Sequence, residues 1–401
     1  MTSPRVNNNN CRVLILHNCI TPYRHHIFEE VSKTFPLLVV YLNEHCITKR
    51  GWDPIPRKYN YKYIILSKER NVLTVIKNLG LLLKILFNFK PKIIIIGGHS
   101  EVEMKVTAIL SKILKLKLVY WTESTEIAES ALPTIHRIFA KLQRIIFSRM
   151  SDSIMVPGKL SYIAERKILD KSRVFIVPNS IDEKLWLMDS HTQNENELEN
   201  VVYTWQQSNS QSATKIVLFV GRMTRVKGVI PLIAASIKLL NEGENFILLM
   251  RGDGPLKEPL KEIVKKKALN NNIIFLDSIS VSTLSKLYRN ADVFILPSYR
   301  DVWGFVINEA ALLGSKIIIG SKYSQAAYIL LEGTPLLLER VNAYEIYRVL
   351  KYCISDEVNC LHYKKIVSTS YRKYMHQRLT YAGIKMLLTS LCLEGSRCDT
   401  L

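Results

Sequence analysis

The apolar positions of this chain fall into two alternating patterns. Short apolar runs bounded by turn residues, at 12–17, 37–42, 93–96, 117–121, 153–156, 173–177, 216–220, 246–250, 273–276, 293–296 and 316–320, predict strands. Between them, apolar residues recur three and four apart and predict helices at 25–34, 102–114, 134–150, 231–241, 256–267, 282–288 and 379–391. Strands that read as continuous apolar runs, each followed by a helix, imply parallel sheets covered on both faces. Residues 50–63, with Trp52, Pro54 and Pro56, read as an irregular surface stretch. The alternation fails at 189–214, which is polar and rich in Asn, Gln and Ser, so that segment reads as a linker. The expected fold class is α/β, with an N-terminal Rossmann-like domain at 1–188, a second at 215–370 and a helical tail at 371–401.

Two helices carry more than a fold signal. In the stretch 71–98, Val72, Ile76, Leu79, Leu83 and Leu86 form one stripe of an amphipathic helix that precedes the strand at 93–96. Lys77, Lys84, Lys90, Pro91 and Lys92 interrupt that stretch, so no membrane span is expected there. In 134–150, Ile135, Ile138, Phe139, Leu142, Ile145 and Ile146 oppose Arg137, Lys141 and Arg144. Such a basic amphipathic helix could lie on an anionic membrane. The preferred reading is a helix whose apolar side packs on its own sheet and whose polar side is solvated.

Composition changes this picture little. The 401 residues are 48% hydrophobic and 22% charged, which suits globular domains. The net charge of +20 fits nucleic acid, an anionic membrane or a phosphorylated substrate as partner, or simply a lysine-rich surface. No aromatic-basic nucleic-acid module accompanies it, so no nucleic-acid partner is expected. Seven scattered cysteines without a C-x-x-C pair read as reduced thiols of a cytoplasmic protein, and the N-terminus lacks signal-peptide architecture.

The candidate chemistry gathers in loops that follow strands. Gly221-Arg222-Met223-Thr224-Arg225-Val226-Lys227-Gly228 joins a strand to a helix. Its glycines let the backbone approach a ligand, and Arg222 and Lys227 supply charge for phosphate oxygens. It lacks the P-loop order, and a solvated surface loop is the alternative. Asp301 and Glu309 bracket a loop and first helical turns, where Gly304, Phe305 and Val306 could offer amides to a phosphate and the carboxylates could accept from sugar hydroxyls. Gly252-Asp253-Gly254 begins like a dinucleotide fingerprint, but Lys257 stands at the third glycine. No Asp-x-Asp pair, His-Glu-x-x-His or spaced Cys/His cluster is present, so no metal is expected and cations and helix amides would have to stabilise a diphosphate leaving group.

VLFVGRMTRVKG, RGDGP and ADVFILPSYRDVWGFVINEAALLGSKII, taken in order, resemble the donor-site motifs of GT-B retaining glycosyltransferases, glycosyltransferase family 4. VPNSID resembles the family's P-N-G-[VI]-D turn, and ITPYRHHIFEEV is similar to the opening of bacterial members acting on surface polysaccharides and lipid-linked sugars. The resemblance implies two Rossmann-like domains facing across a cleft, with the last helix returning to the first domain. It implies a nucleoside-diphosphate sugar as donor substrate and no cofactor. The acceptor would be a glycan or lipid-linked molecule, bound mainly by the first domain, where Tyr23 and Arg24 lie. It further implies that Arg222 and Lys227 neutralise the diphosphate, that Glu309 binds the ribose, and that Asp301 meets the sugar. This chain departs from the family at Asp301, which replaces a glutamate, and at Ser180, which replaces the turn glycine. Glu123 stands where many members carry a histidine; it could bind a sugar hydroxyl, assist proton transfer or cap the next segment. A GT-B relative with epimerase or phosphorylase chemistry is the alternative, as is an inactive basic homologue binding membrane or nucleic acid.

Overall fold

The computed structural model describes residues 10–44, 59–67, 71–98, 100–130, 133–188, 214–277, 279–355 and 359–398. The predicted linker lies outside the described residues except for Thr214, as do Trp52, Pro54 and Pro56. The chain forms two compact units. The first comprises the chain up to Ser180 plus the segment from Gln377 onward, and the second runs from Ile181 to His376.

The first unit contains seven parallel strands: β1 (Val13–Cys19), β2 (Leu37–Asn43), β3 (Lys62–Ser67), β4 (Ile93–Gly97), β5 (Lys117–Trp121), β6 (Ser153–Val156) and β7 (Val174–Ile176). Their order is β3-β2-β1-β4-β5-β6-β7. Strand β3, read from sequence as the end of an irregular stretch, is an edge strand; its exposed Lys62 and Tyr63 hid the pattern. The helices of this unit are α1 (His25–Ser32), α2 (Val72–Phe89), α3 (Val102–Ile113), α4 (Glu126–Ser130), α5 (Thr134–Met150), α6 (Lys159–Arg166) and the C-terminal helix (Gln377–Cys398). Asn71 starts α2 with a capping box to Thr74, and Lys90 ends it in the left-handed conformation just before Pro91.

One sheet face packs Ile15, Val39 and Ile95 against Phe28 of α1 and Ile384, Leu387, Leu388 and Leu391 of the C-terminal helix. The other packs Leu14, Val40 and Ile94 against Leu82 and Leu86 of α2, Met104 and Ala108 of α3, and Phe147 of α5. The stripe of α2 read from sequence is largely outside, with Val72, Ile76 and Leu83 exposed, while Leu86 of that stripe is buried with Asn78 and Leu82. One expectation fails on this second face. In α5, Ile135, Ile138, Phe139, Leu142 and Ile146 point outward, while Arg144, Phe147 and Ser148 are buried. Arg144 can face inward because Glu129 at 2.7 Å and Glu165 at 3.2 Å neutralise it.

The reading of the cysteines is also corrected. Cys11 and Cys392 form a disulfide, joining the start of the first strand region to the C-terminal helix across 381 residues of sequence. Both are buried in the core beneath that helix, whereas Cys19, Cys353 and Cys360 are not disulfide-bonded.

The second unit has strands β8 (Lys215–Val220), β9 (Phe246–Arg251), β10 (Ile273–Leu276), β11 (Val293–Leu296), β12 (Ile317–Ser321) and β13 (Leu337–Leu338), all parallel, in the order β10-β9-β8-β11-β12-β13. Its helices are α7 (Glu183–Leu187), α8 (Val229–Asn241), α9 (Lys257–Lys266), α10 (Val281–Asn290), α11 (Phe305–Leu313), α12 (Gln325–Leu331), α13 (Ala343–Ile354) and α14 (Cys360–Tyr374). Helix α7 belongs here because Trp186 packs edge-on to Tyr288 of α10, which moves the boundary from the predicted 188 back to Ser180. The tail likewise divides at Gln377 and not at 371, since Tyr371 of α14 donates to Glu183 within the second unit.

Both sheets thus share one winding. The chain reverses direction across the sheet beside its first strand, between β1 and β4 and again between β8 and β11. Crevices outside the carboxyl ends of such strands are where open α/β folds take ligands.

Candidate functional site

In the second unit the loop after β8 is closed against its neighbours by backbone. Gly221 donates its amide to the Arg251 carbonyl at 3.0 Å, and Met223 donates to the Asp253 carbonyl at 2.8 Å. The approach is so close that a Cβ on Gly252 would lie 2.0 Å from the Gly221 carbonyl oxygen. A Cβ on Gly228 would lie 1.9 Å from that of Pro297. Gly228 has φ 69° and Gly252 φ 143°, conformations that L side chains disfavour. Gly254 and Gly304 are equally confined, at 2.6 Å from Met223 O and 2.4 Å from Ser324 Oγ. The four glycines therefore fix the loops after β8, β9 and β11 as one surface.

On that surface Lys227 Nζ donates to Asp301 Oδ2 at 2.5 Å, bringing together two residues singled out from sequence. Asp301 is also tied by its backbone amide to the Tyr323 carbonyl. Trp303, buried beneath the loop, donates its indole N–H to Asn308, and Ser324 donates to the Trp303 carbonyl. Helix α11 begins at Phe305 and Val306 after Gly304 (φ 96°), with no side chain capping its first amides. Arg222 and Asp253 lie on the exposed side of the loops, and Asp253 accepts from the amide of Gly254. Glu309, one turn into α11, is only 2% exposed, and its Oε2 accepts from the Tyr288 hydroxyl at 2.7 Å. Tyr288 was not visible from sequence as a site residue, because it sits on a different helix and reads as a core aromatic. Arg251, at the carboxyl end of β9, was missed for a similar reason; its Nε is buried without a hydrogen-bond partner.

The carboxyl edge of the first unit is built from side chains. Arg24 donates to Glu123 Oε1 at 2.5 Å and to Asn179 Oδ1 at 2.8 Å, and Asn179 donates in turn to Glu123 Oε1 at 2.6 Å. The guanidinium lies over the Trp121 ring, 4.1 Å from its centroid. Burial pushes the Arg24 pKa down and Glu123 pulls it back up. Beside this triad His26 Nε2 meets Ser180 Oγ at 3.0 Å, and Thr380 donates to both Ser180 Oγ and the Pro178 carbonyl. Burial, with Arg24 adding repulsion, pushes His26 down to about 3. The serine that replaces a turn glycine is explained here. Its backbone φ is not positive, and its hydroxyl links α1 to the C-terminal helix. Tyr23 is half-buried in the turn that leads into α1. Among the described residues, no group of three or more His, Cys, Asp or Glu is placed to hold a metal.

Residues 204–373 match the family described as glycosyl transferases group 1. The chain is 35% identical over 111 residues to an uncharacterized glycosyltransferase, MJ1607, of Methanocaldococcus jannaschii, covering 28% of each chain. It is 27% identical over 257 residues to a second from that organism, MJ1059, covering 61% of this chain and 59% of the relative. The similarity to these curated relatives therefore spans less than two thirds of their length. Among solved structures, a glycosyltransferase from Rickettsia africae superposes with TM-score 0.70 at 15% identity, covering 96% of this chain and 99% of that one. Anabaena Alr3699/HepE, solved in complex with UDP, superposes with TM-score 0.70 at 15% identity, covering 94% and 100%. The fold is accordingly that of GT-B glycosyltransferases, two Rossmann-like units each with a parallel sheet.

Proposed function

We propose that this GT-B chain is a retaining, metal-independent glycosyltransferase that moves a sugar from a nucleoside diphosphate to a glycan or lipid-linked acceptor. Its station would be the cytoplasmic side of a membrane, in synthesis of a surface polysaccharide or glycoconjugate. The observation that carries the reading is the backbone-closed loop surface at the β8/β11 reversal, with Lys227 and Asp301 paired on it, inside the segment that matches group 1. The UDP bound by Alr3699/HepE supports a nucleotide-sugar donor.

In this reading Arg222 and Lys227 take the diphosphate, together with the first amides of α11. Arriving phosphate competes with Asp301 for Lys227 and frees that carboxylate for the sugar hydroxyls. As the sugar–phosphate bond breaks, negative charge grows on the leaving oxygen, where fixed cations stabilise the transition state more than the ground state. Glu309, oriented by Tyr288, accepts from the ribose. The acceptor binds at the edge of the first unit carrying Tyr23, Arg24 and Glu123. The Arg24 contact fixes the Glu123 carboxylate in place, which suits hydrogen bonding to an acceptor hydroxyl.

Thermal shifts with a panel of UDP-, GDP- and dTDP-sugars should single out one base. Product analysis should then show sugar transferred with its anomeric configuration kept; free epimerised sugar nucleotide, or sugar phosphate, would point to the epimerase or phosphorylase alternatives. Lys227→Ala and Arg222→Ala are each expected to lower turnover by about 10²–10³-fold without unfolding the chain. Unchanged turnover in both would overturn the donor-site assignment.

A further inference from the structure

The outer surface formed by α2, α3 and α5 is organised opposite to that of a solvated helix layer. In α2, Leu73, Ile76, Leu83 and Phe87 are exposed, with the small Gly80 between them, at the 3-4-3-4 spacing of a stripe that runs the length of the helix. In α5, Ile135, Ile138, Phe139, Leu142 and Ile146 form a second outward stripe, each at least 47% exposed. Val102, Ile109 and Ile113 of α3 supply a third. Helix α3 lies against both α2 and α5, so the three stripes belong to one face.

The exposed charge on these three helices has one sign. Lys77, Lys84, Arg137, Lys141 and Arg149 are exposed on them, and Lys112 is paired with Asp152 at 2.8 Å. The acid the same helices contain, Glu103, is buried and accepts from Asn78. An apolar surface interleaved with cations, on helices that expose no acid of their own, is complementary to a layer that is apolar within and anionic at its headgroups.

We propose that the α2–α3–α5 face is a monotopic docking surface for an anionic lipid bilayer. The inference rests on the membrane-side station given above and assigns it a place on the molecule. The stripes enter the acyl–headgroup boundary, while lysine and arginine stems extend along them and leave their charges among the lipid phosphates. Helix α2 is long and apolar enough to cross a membrane. It lies on the surface instead, because the strands on either side of it, β3 and β4, both pair into the same sheet and Leu82 and Leu86 are held in its core. A second copy of this chain suits the face less well, since two such faces would oppose like charges.

The test is co-sedimentation of the full chain with phosphatidylcholine vesicles containing or lacking phosphatidylglycerol. Binding is expected to the anionic vesicles, to fall with added salt, and to be at least tenfold weaker without phosphatidylglycerol. Each cation within reach of the leaflet contributes roughly fivefold to partitioning, so Arg137→Glu with Lys141→Glu should abolish detectable binding. Ile138→Asp with Phe139→Asp should also abolish it, with the melting temperature unchanged because both side chains are exposed. Nucleotide affinity, read by calorimetry, should stay at the wild-type value in both variants, which separates this inference from the transferase reading. Wild-type vesicle binding in both variants would overturn the proposal. So would failure of the wild type to bind anionic vesicles, or a dimer in sedimentation velocity that the aspartate variant dissolves without any vesicle binding by the wild type.

Discussion

The two units wind their chains identically and build their carboxyl edges differently. The second unit closes its edge with backbone: Gly228, Gly252 and Gly254 let loops touch carbonyl to Cα. The first unit closes its edge with side chains that come from far apart, Arg24 to Glu123 across 99 residues and Arg24 to Asn179 across 155. A backbone surface presents amides to any phosphate and tolerates little change. A side-chain network can be altered residue by residue while the strands beneath it stay fixed. That difference suits a donor edge meeting a common diphosphate and an acceptor edge meeting a varied partner.

The strongest way to break this contrast is Gly252→Ala. Its methyl would need to occupy the place of the Gly221 carbonyl, at a φ that alanine avoids, so a loss of about 4 kcal/mol or more is expected in chemical denaturation, together with loss of nucleotide binding. A variant as stable as wild type would show that the loops part easily. On the other edge, Arg24→Ala leaves the Glu123 carboxylate without its cation and should cost roughly 3–5 kcal/mol. Glu123→Gln keeps hydrogen-bonding capacity and should cost about 1 kcal/mol. Equal losses in the two would mean the pair works by charge alone.

A titration sharpens the same comparison. His26 is held neutral in the folded protein, at about 3 against an ordinary 6.5. Its contribution is complete above about pH 6.5 and is lost as pH falls toward 3, because the unfolded chain takes up a proton that the folded chain refuses. The slope is about 1.4 kcal/mol per pH unit, and His26→Gln should remove it from the pH dependence of urea midpoints. The smallest effect belongs to Glu309. Glu309→Gln should weaken nucleotide affinity by roughly tenfold in calorimetry, and Tyr288→Phe by less, since the carboxylate would remain but lose its fixed orientation. Intact affinity in Glu309→Gln would remove the ribose assignment.

What could be read from sequence follows the same division. The glycine loops, Lys227, Asp301 and Glu309 each fall in a short motif directly after a strand, and those local motifs announced a ligand edge. Arg24, Glu123 and Asn179 were visible only singly, because nothing local records which distant side chains will meet. Ser180 looked like a defect until His26 and Thr380 were seen on either side of its hydroxyl. Periodicity found the stripes of α2 and α5, and the α5 stripe was expected to face inward. Periodicity reports that a helix has two sides and not which side the sheet covers. The edge strand β3 escaped because half its residues are exposed. The Cys11–Cys392 pairing escaped because no spacing rule reaches across 381 residues.

That last bond, with the helix it secures, bears on how the protein is made. The core of the first unit lacks Ile384, Leu387, Leu388 and Leu391 until those residues have left the ribosome. The second unit, complete at His376, is fully synthesised before then. The unit that begins first therefore finishes last, with one apolar sheet face awaiting its cover throughout translation. Premature termination near residue 376 would leave a finished second unit attached to an unfinished first, a product marked for aggregation by its open sheet.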